Sequence, residues 1–229
     1  MQSIVLITGA TAGIGAATAR ALIATHHVVL VGRRRERLSA LVSELGARAT
    51  FIAEDLTAEG APVRIVAEIE RRGCRIAGLV NNAGSFEVAR SEAITADHAE
   101  RQWRLHVLAP MLLTGAALPQ LCNGGGTIVN LSSIAAEVAF PGCGVYAGTK
   151  AALEAWSRSL REELRGSGVR VSVVVPGATD TDIWPVEAAV DRTRMCQVED
   201  VAAMIRLALT LPTTASLDRL VITPPSGPV

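Results

Sequence analysis

The chain offers little that could cross-link it or cage a metal. Its four cysteines, Cys74, Cys122, Cys143 and Cys196, stand far apart and form no Cys-x-x-Cys pair. That usage fits reduced thiols in a cytoplasmic protein rather than a disulfide framework, and no metal-ligand set is expected. Charge of one sign is also lacking: Lys+Arg and Asp+Glu are both 22, which gives a formal net charge of zero. Nothing therefore points to nucleic acid or an anionic membrane surface as a partner. The opening MQSIVLITGA has no basic n-region, and its apolar run is too short for a signal peptide. No segment approaches 18 consecutive apolar residues, so no membrane span is expected. Aromatic residues make up only 3% of the chain although 49% is hydrophobic. The core is left to Ala, Val and Leu, a composition suited to buried parallel strands packed by Ala-rich helices. Repeats and low-complexity tracts are absent, and no linker divides the 229 residues, so one α/β domain over 1–229 is expected.

The order of the segments sharpens that reading. Ser3–Thr8 is a short β-branched run, read as a buried strand. It leads into Thr8-Gly9-Ala10-Thr11-Ala12-Gly13-Ile14-Gly15, and an Ala-rich helical pattern follows over 13–25. Strand, glycine-rich turn and helix form the context in which backbone N–H groups meet a pyrophosphate. The second strand, Val28–Val31, ends in Gly32-Arg33-Arg34-Arg35. A dinucleotide fold that binds NAD has an acidic residue there for the ribose 2′-hydroxyl. Arginine is instead a fork for phosphate, so the pattern predicts NADP(H) in preference to NAD(H), with loss of Arg33 erasing most of that preference. Cations at a helix start also oppose its dipole, so a purely solvated basic turn carries a cost.

Further strands are expected at 49–53, 76–80, 127–131, 169–175 and 219–223. Asp55 and Leu56 follow the third strand, and Asn81-Asn82-Ala83-Gly84 ends the fourth. Both lie at the carboxyl edge where open α/β sheets bind ligands. A long helix is expected over 95–121, bent by Pro110, with His106 inside it. The segment 182–197 is poorly periodic and reads as a mobile flap, and Ile183, Trp184, Val186, Phe140 and Cys143 suggest an apolar pocket.

The chemistry concentrates in Leu131–Lys150. Tyr146 and Lys150 are four apart, which puts them on one helix face. An adjacent ammonium favours phenolate, and so tunes Tyr146 towards acid–base work. Ser133, upstream of a turn containing Pro141 and Gly142, can share the same substrate oxygen if the loop folds back.

Taken in order, Thr8-Gly9-x-x-x-Gly13-x-Gly15, Asp55, Asn81-Asn82-Ala83-Gly84, Ser133, Tyr146-x-x-x-Lys150 and Pro176-Gly177-x-x-x-Thr181 resemble the short-chain dehydrogenases/reductases over nearly the whole chain. The resemblance implies a single Rossmann-type doubly wound sheet of about seven mainly parallel strands flanked by helices. It implies NADP(H)-dependent interconversion of a carbonyl and an alcohol, with Tyr146 as acid/base and Ser133 polarising the carbonyl. Lys150 would hold the nicotinamide ribose and lower the phenol pKa. Cofactor contacts would come from Gly9, Thr11, Gly13, Ile14, Gly15, Arg33, Arg34, Asp55, Leu56, Asn82, Ala83, Gly84, Pro176, Gly177, Thr179 and Thr181. The resemblance also implies a homotetramer or homodimer packed through the two long helices, and a small-molecule substrate.

One position departs from the family pattern. Where the long helix usually carries the Asn that orders a water behind the active-site Lys, this chain has His106. Its imidazole can donate and accept a proton, so a catalytic relay role is expected of it. The same departure supports a second reading, a catalytically weak NADP(H)-binding sensor or scaffold, which NADPH consumption against a carbonyl panel separates from the first. A third reading, a nucleotide-binding structural subunit, would require a large exposed apolar patch.

Overall fold

The computed structural model describes residues 1–184 and 191–227. Seven strands, β1 (Gln2–Thr8), β2 (His27–Gly32), β3 (Ala49–Ala53), β4 (Cys74–Asn81), β5 (Thr127–Leu131), β6 (Arg170–Pro176) and β7 (Arg219–Ile222), form one sheet in the order β3-β2-β1-β4-β5-β6-β7. Every neighbouring pair is parallel, so the sheet is wholly parallel. Alternation within each strand divides the core in two. Ile4, Leu6, Val29 and Val31 face the helices α3 (Ala61–Arg71), α5 (Ala109–Cys122) and α6 (Gly144–Glu163). Val5, Ile7, Val28 and Leu30 face α1 (Gly13–Leu22), α2 (Arg35–Leu45) and α7 (Val198–Thr210). Both faces are covered, which is why these strands read as continuous apolar runs. Chain order reverses between β1 and β4, and a crevice opens at their carboxyl ends.

The long helix is interrupted close to the proline that the sequence places in it. It is made of α4 (Ala96–Trp103), a π-helical turn over Arg104–Leu108, and α5. Ala109 N–H bonds the carbonyl of Arg104, five residues back. The residue four beyond His106 is Pro110, which has no N–H to give to the His106 carbonyl. The wide turn sits where that donor is missing, so the irregularity caused by Pro110 lies in the turn before it, around His106. The stretch Ala96–Cys122 is also, by length and composition, apolar enough to cross a membrane: 27 residues with mean hydropathy 1.4. Half of its apolar window is buried within the protein, where Val107, Ala109, Leu113, Ala117 and Leu121 are covered. Among the described residues it is a core helix of the sheet's first face.

The expected flap over 182–197 is partly anchored. Cys196 pairs with Thr179 in an isolated parallel bridge, and Cys196 N–H bonds Ala178 O at 3.0 Å. Arg192 reaches Asp180 at 2.8 Å, and Trp184 Nε1 donates to Thr179 O at 2.9 Å. Val186 and the rest of 185–190 lie outside the described residues.

Candidate active site

The glycine-rich turn is shaped by how closely β4 approaches it. Thr8 Oγ1 accepts from the N–H groups of Asn82 and Ala83 at 3.0 and 3.1 Å. The Asn82 amide donates to Thr8 O at 2.8 Å and to Gly9 O at 3.3 Å. A Cβ on Gly9 (φ +66°) would lie 2.7 Å from Ala83 Cα, and one on Gly15 would lie 2.6 Å from both Asn82 Nδ2 and Gly9 O. These positions therefore exclude a side chain on steric grounds. The first N–H groups of α1 have no side-chain cap, which leaves donors and a positive helix end facing the crevice. Across the crevice, Thr181 Cγ2 stands 3.3 Å from where a Cβ of Gly13 would be.

At the end of β2 the charge is unbalanced. Arg34 lies over the turn, with Nε and Nη2 donating to Thr11 Oγ1 at 3.2 and 2.6 Å. Burial, with the neighbouring charges of Arg37 and Arg33, pushes this guanidinium down from its ordinary value, partly offset by Asp182. Arg33 is 78% exposed along its side chain and reaches Asp55 only at 3.9 Å. Arg35 turns away onto the ring of Phe51, 5.6 Å from its centroid. A Cβ at Gly32 would lie 2.7 Å from Thr11 Cγ2, so an acidic residue there would collide with the turn. Asp55 is committed on one side: its Oδ1 accepts from Thr57 N and Oγ1 at 2.9 and 2.7 Å. Burial opposes its ionisation, but the two Thr57 bonds and Arg33 leave its carboxyl below the usual value. The glycine cradle, the open helix end and the cationic rim fit a phosphorylated dinucleotide.

The crevice is a cleft of about 630 Å³. Of the candidates named from sequence, Gly9, Thr11, Gly13, Ile14, Arg33, Arg34, Asp55, Leu56, Asn82, Ala83, Gly84, Ser133, Tyr146, Lys150, Pro176, Gly177, Thr179 and Thr181 line it. Gly15 is packed behind the turn, and His106, 1% exposed, lies behind the wall. The sequence reading missed Ser85, Phe86, Arg104, Thr149 and Glu154. Ser85 and Phe86 directly follow Gly84, and Thr149 sits between Tyr146 and Lys150, so adjacency was their signal. Arg104 and Glu154 had none.

Ser133 begins a short helical turn, accepting from Ala135 N–H at 3.2 Å. Its neighbour Ser132 donates to Glu154 Oε1 at 2.7 Å, and Glu154 is held from the other side by Arg219 at 3.1 Å. Burial pushes the Tyr146 phenol up to about 12, with the nearby Cys143 adding to the rise and the neighbouring Ser133 hydroxyl, which favours ionisation, only partly offsetting it. This corrects the expectation of a lowered phenol pKa. The ammonium meant to lower it is itself buried and pushed down to about 8. Lys150 Nζ donates to Leu131 O at 2.9 Å and lies 5.7 Å from the centre of the tyrosine ring. The scarce aromatics gather here: Trp184 packs edge-on to Phe86 at 5.2 Å, and Phe86 to Tyr146 at 5.1 Å. His106 meets the same tyrosine ring at 5.5 Å and 90°.

Residues 3–190 match the family model described as short chain dehydrogenase. The chain is 36% identical to sulfoacetaldehyde reductase 2 of Chromohalobacter salexigens, over 98% of this chain and 95% of that protein. It is 31% identical to the NADP-dependent 3-hydroxy acid dehydrogenase of Escherichia coli, over 96% and 94%. Among solved structures, the closed form of a serine dehydrogenase complexed with NADP+ superimposes with a TM-score of 0.91 at 30% identity, covering 99% of this chain and 96% of that one. The chain belongs to the short-chain dehydrogenase/reductase family, and is an oxidoreductase of alcohol and carbonyl substrates that uses a nicotinamide cofactor.

Proposed function

We propose that this chain interconverts a carbonyl and an alcohol with NADP(H), through Ser133, Tyr146 and Lys150. The observation that carries the reading is that Ser133, Tyr146 and Lys150 converge on the wall of the same cleft that the glycine cradle and the two arginines line. When bound, the nicotinamide supplies or takes the hydride. Tyr146 gives its proton to the substrate oxygen in reduction and takes it back in oxidation, so that the carbonyl gains one C–H and one O–H bond. A phenol with a pKa near 12 keeps its proton at neutral pH, which suits the acid of a reduction. Ser133 donates to the same oxygen as charge develops on it. Arg33 and Arg34 take the 2′-phosphate.

The substrate proposed is short and acidic. The relatives' names (sulfoacetaldehyde, serine and 3-hydroxy acids) share a sulfonate or carboxylate near the reacting carbon. In this cleft Arg101 is already paired with Glu87 at 3.1 Å and with Asp97. Arg104, exposed at the lining, forms no ion pair among the described residues. It is the group assigned to the substrate's acid. A homo-oligomer packed through the α4–α5 and α6 helices is also proposed, and the exposed Trp103, Leu108 and Leu112 support it.

The test follows NADPH oxidation with short aldehydes and ketones, each acid paired with an uncharged analogue. The acids are expected to lead in kcat/KM by about tenfold or more, one charge-assisted contact, and Arg104→Ala should remove that lead by raising KM. No turnover of any carbonyl would favour the sensor reading, for which the His106 departure is the one supporting observation. Equal turnover of acids and analogues would overturn the acidic substrate.

A further inference from the structure

His106 is fixed by two bonds that each specify its proton. Thr149 Oγ1 gives its single hydrogen to Tyr146 O at 2.7 Å. Its oxygen, 2.9 Å from His106 Nδ1, can then only accept, so Nδ1 carries a hydrogen. Ser85 N–H donates to Nε2 at 3.0 Å, so Nε2 holds a lone pair. Both bonds name the same neutral tautomer, and both nitrogens are used. A second ring proton at Nε2 would point at the Ser85 N–H. Of the charged groups facing the ring, Lys150 is the near one: a Cβ at Gly84 would be 3.6 Å from Nε2 and 3.8 Å from Lys150 Nζ.

We propose that His106 is a permanently neutral brace, a positioning residue rather than a proton carrier. It clamps the loop after β4 at Ser85 to the turn of α6 that presents Tyr146. Three elements meet on one imidazole: the π turn of the long helix, the loop of Asn82–Ser85, and the first turns of α6. The ring edge-on to Tyr146 adds a packing contact to the two hydrogen bonds. The reach of the side chain matters. An asparagine amide occupies the place of Nδ1 and can still meet Thr149, but stops short of Ser85. A glutamine amide extends to the place of Nε2 and can meet Ser85 instead. The two conservative replacements therefore separate the two halves of the clamp.

The first test is side-chain nitrogen NMR on 15N-labelled protein. The chain has four histidines, and the His106 signals are those that vanish in His106→Gln. They are expected to show a protonated Nδ1 and a bare Nε2, unchanged between pH 5 and 9. A titrating ring, or a proton on Nε2, would overturn the proposal. The second test is amide exchange at Ser85, expected to quicken by about tenfold or more in His106→Asn and to recover towards the unmodified rate in His106→Gln. Unchanged exchange in His106→Asn would show that the bond is not made and would overturn the clamp. The third is kinetic and rests on the function proposed above. His106→Asn should lower kcat by about tenfold through displacement of Tyr146, with the shape of the kcat pH profile preserved. Loss of an ionisation from that profile would reinstate a relay. The NMR and exchange results stand without any substrate, so a fixed tautomer in a protein with no turnover would count against the proposed function alone.

Discussion

Removing Arg34 should damage NADPH binding more than removing Arg33, although both follow β2 directly. Two Arg34 nitrogens already rest on Thr11 Oγ1, so the side chain is held over the glycine turn before any ligand arrives. Ordering a free side chain at an interface costs about 0.5–1.5 kcal/mol, and Arg34 is spared most of this. Arg33 is 78% exposed and loosely paired at 3.9 Å, so it must be ordered, and solvent screens what it gains. A charge-assisted hydrogen bond is worth about 1.5–3 kcal/mol, and the lower end applies at a rim open to water. Arg34→Ala should therefore weaken NADPH by at least about tenfold. Arg33→Ala should weaken it by roughly threefold, and neither should move NADH by more than about twofold. Fluorescence titration with both reduced cofactors measures this, and added salt should narrow the NADPH advantage. Equal affinity of the unmodified protein for the two cofactors would refute the phosphate clamp. A larger loss in Arg33→Ala than in Arg34→Ala would refute the argument from preorganisation and return the weight to Arg33, as the sequence alone suggests.

Tyr146→Phe keeps the ring packing on Phe86 and His106 but has no proton to transfer; kcat should fall at least about 10²-fold while NADPH affinity holds, and a normal kcat with rate-limiting hydride transfer would assign the acid elsewhere. Gly15→Ala forces a methyl to within 2.6 Å of Asn82 Nδ2 and Gly9 O; stability should drop by about 1–3 kcal/mol with weaker NADPH binding, and unchanged melting and affinity would contradict the packing. Lys150 carries a folded pKa of about 8 against an ordinary 10.5, so between those values the unfolded chain holds the extra proton and stability rises with pH. That contribution is on the order of 3 kcal/mol across the window. Melting curves for the unmodified protein and Lys150→Met should converge or cross as pH climbs from about 8, and parallel pH dependence would refute the assignment.

The parallel sheet and its crevice were legible because β-branched runs, glycine turns and Ala-rich helices all agreed along the chain. Gly9, Gly13 and Gly15 were legible as a turn, but the reason for Gly15, collision with Asn82, depends on a contact 67 positions away in sequence. The tuning of Tyr146 was misjudged because spacing places an ammonium on the same face but says nothing of burial. Burial raises the phenol and lowers the ammonium at once, and Lys150 Nζ donates a hydrogen bond to Leu131 O, a backbone atom with no sequence signature. His106 was placed in the right element but with an open valence. Ser85 and Thr149, which close that valence, come from two other elements, and only the packed structure sets their directions.

The tyrosine at the centre of the cleft is the chain's single Tyr, and Lys150 is its single Lys. The proposed acid thus carries its own optical label. Phenolate absorbs in the near ultraviolet where phenol does not, so an alkaline difference spectrum of the unmodified protein reads one oxygen atom at one address. It should stay flat until the solution nears pH 12, then rise by the absorbance of one phenolate. An amine-selective reagent has only Lys150 and the chain terminus to find, and its rate at Lys150 reads how far the cleft admits water.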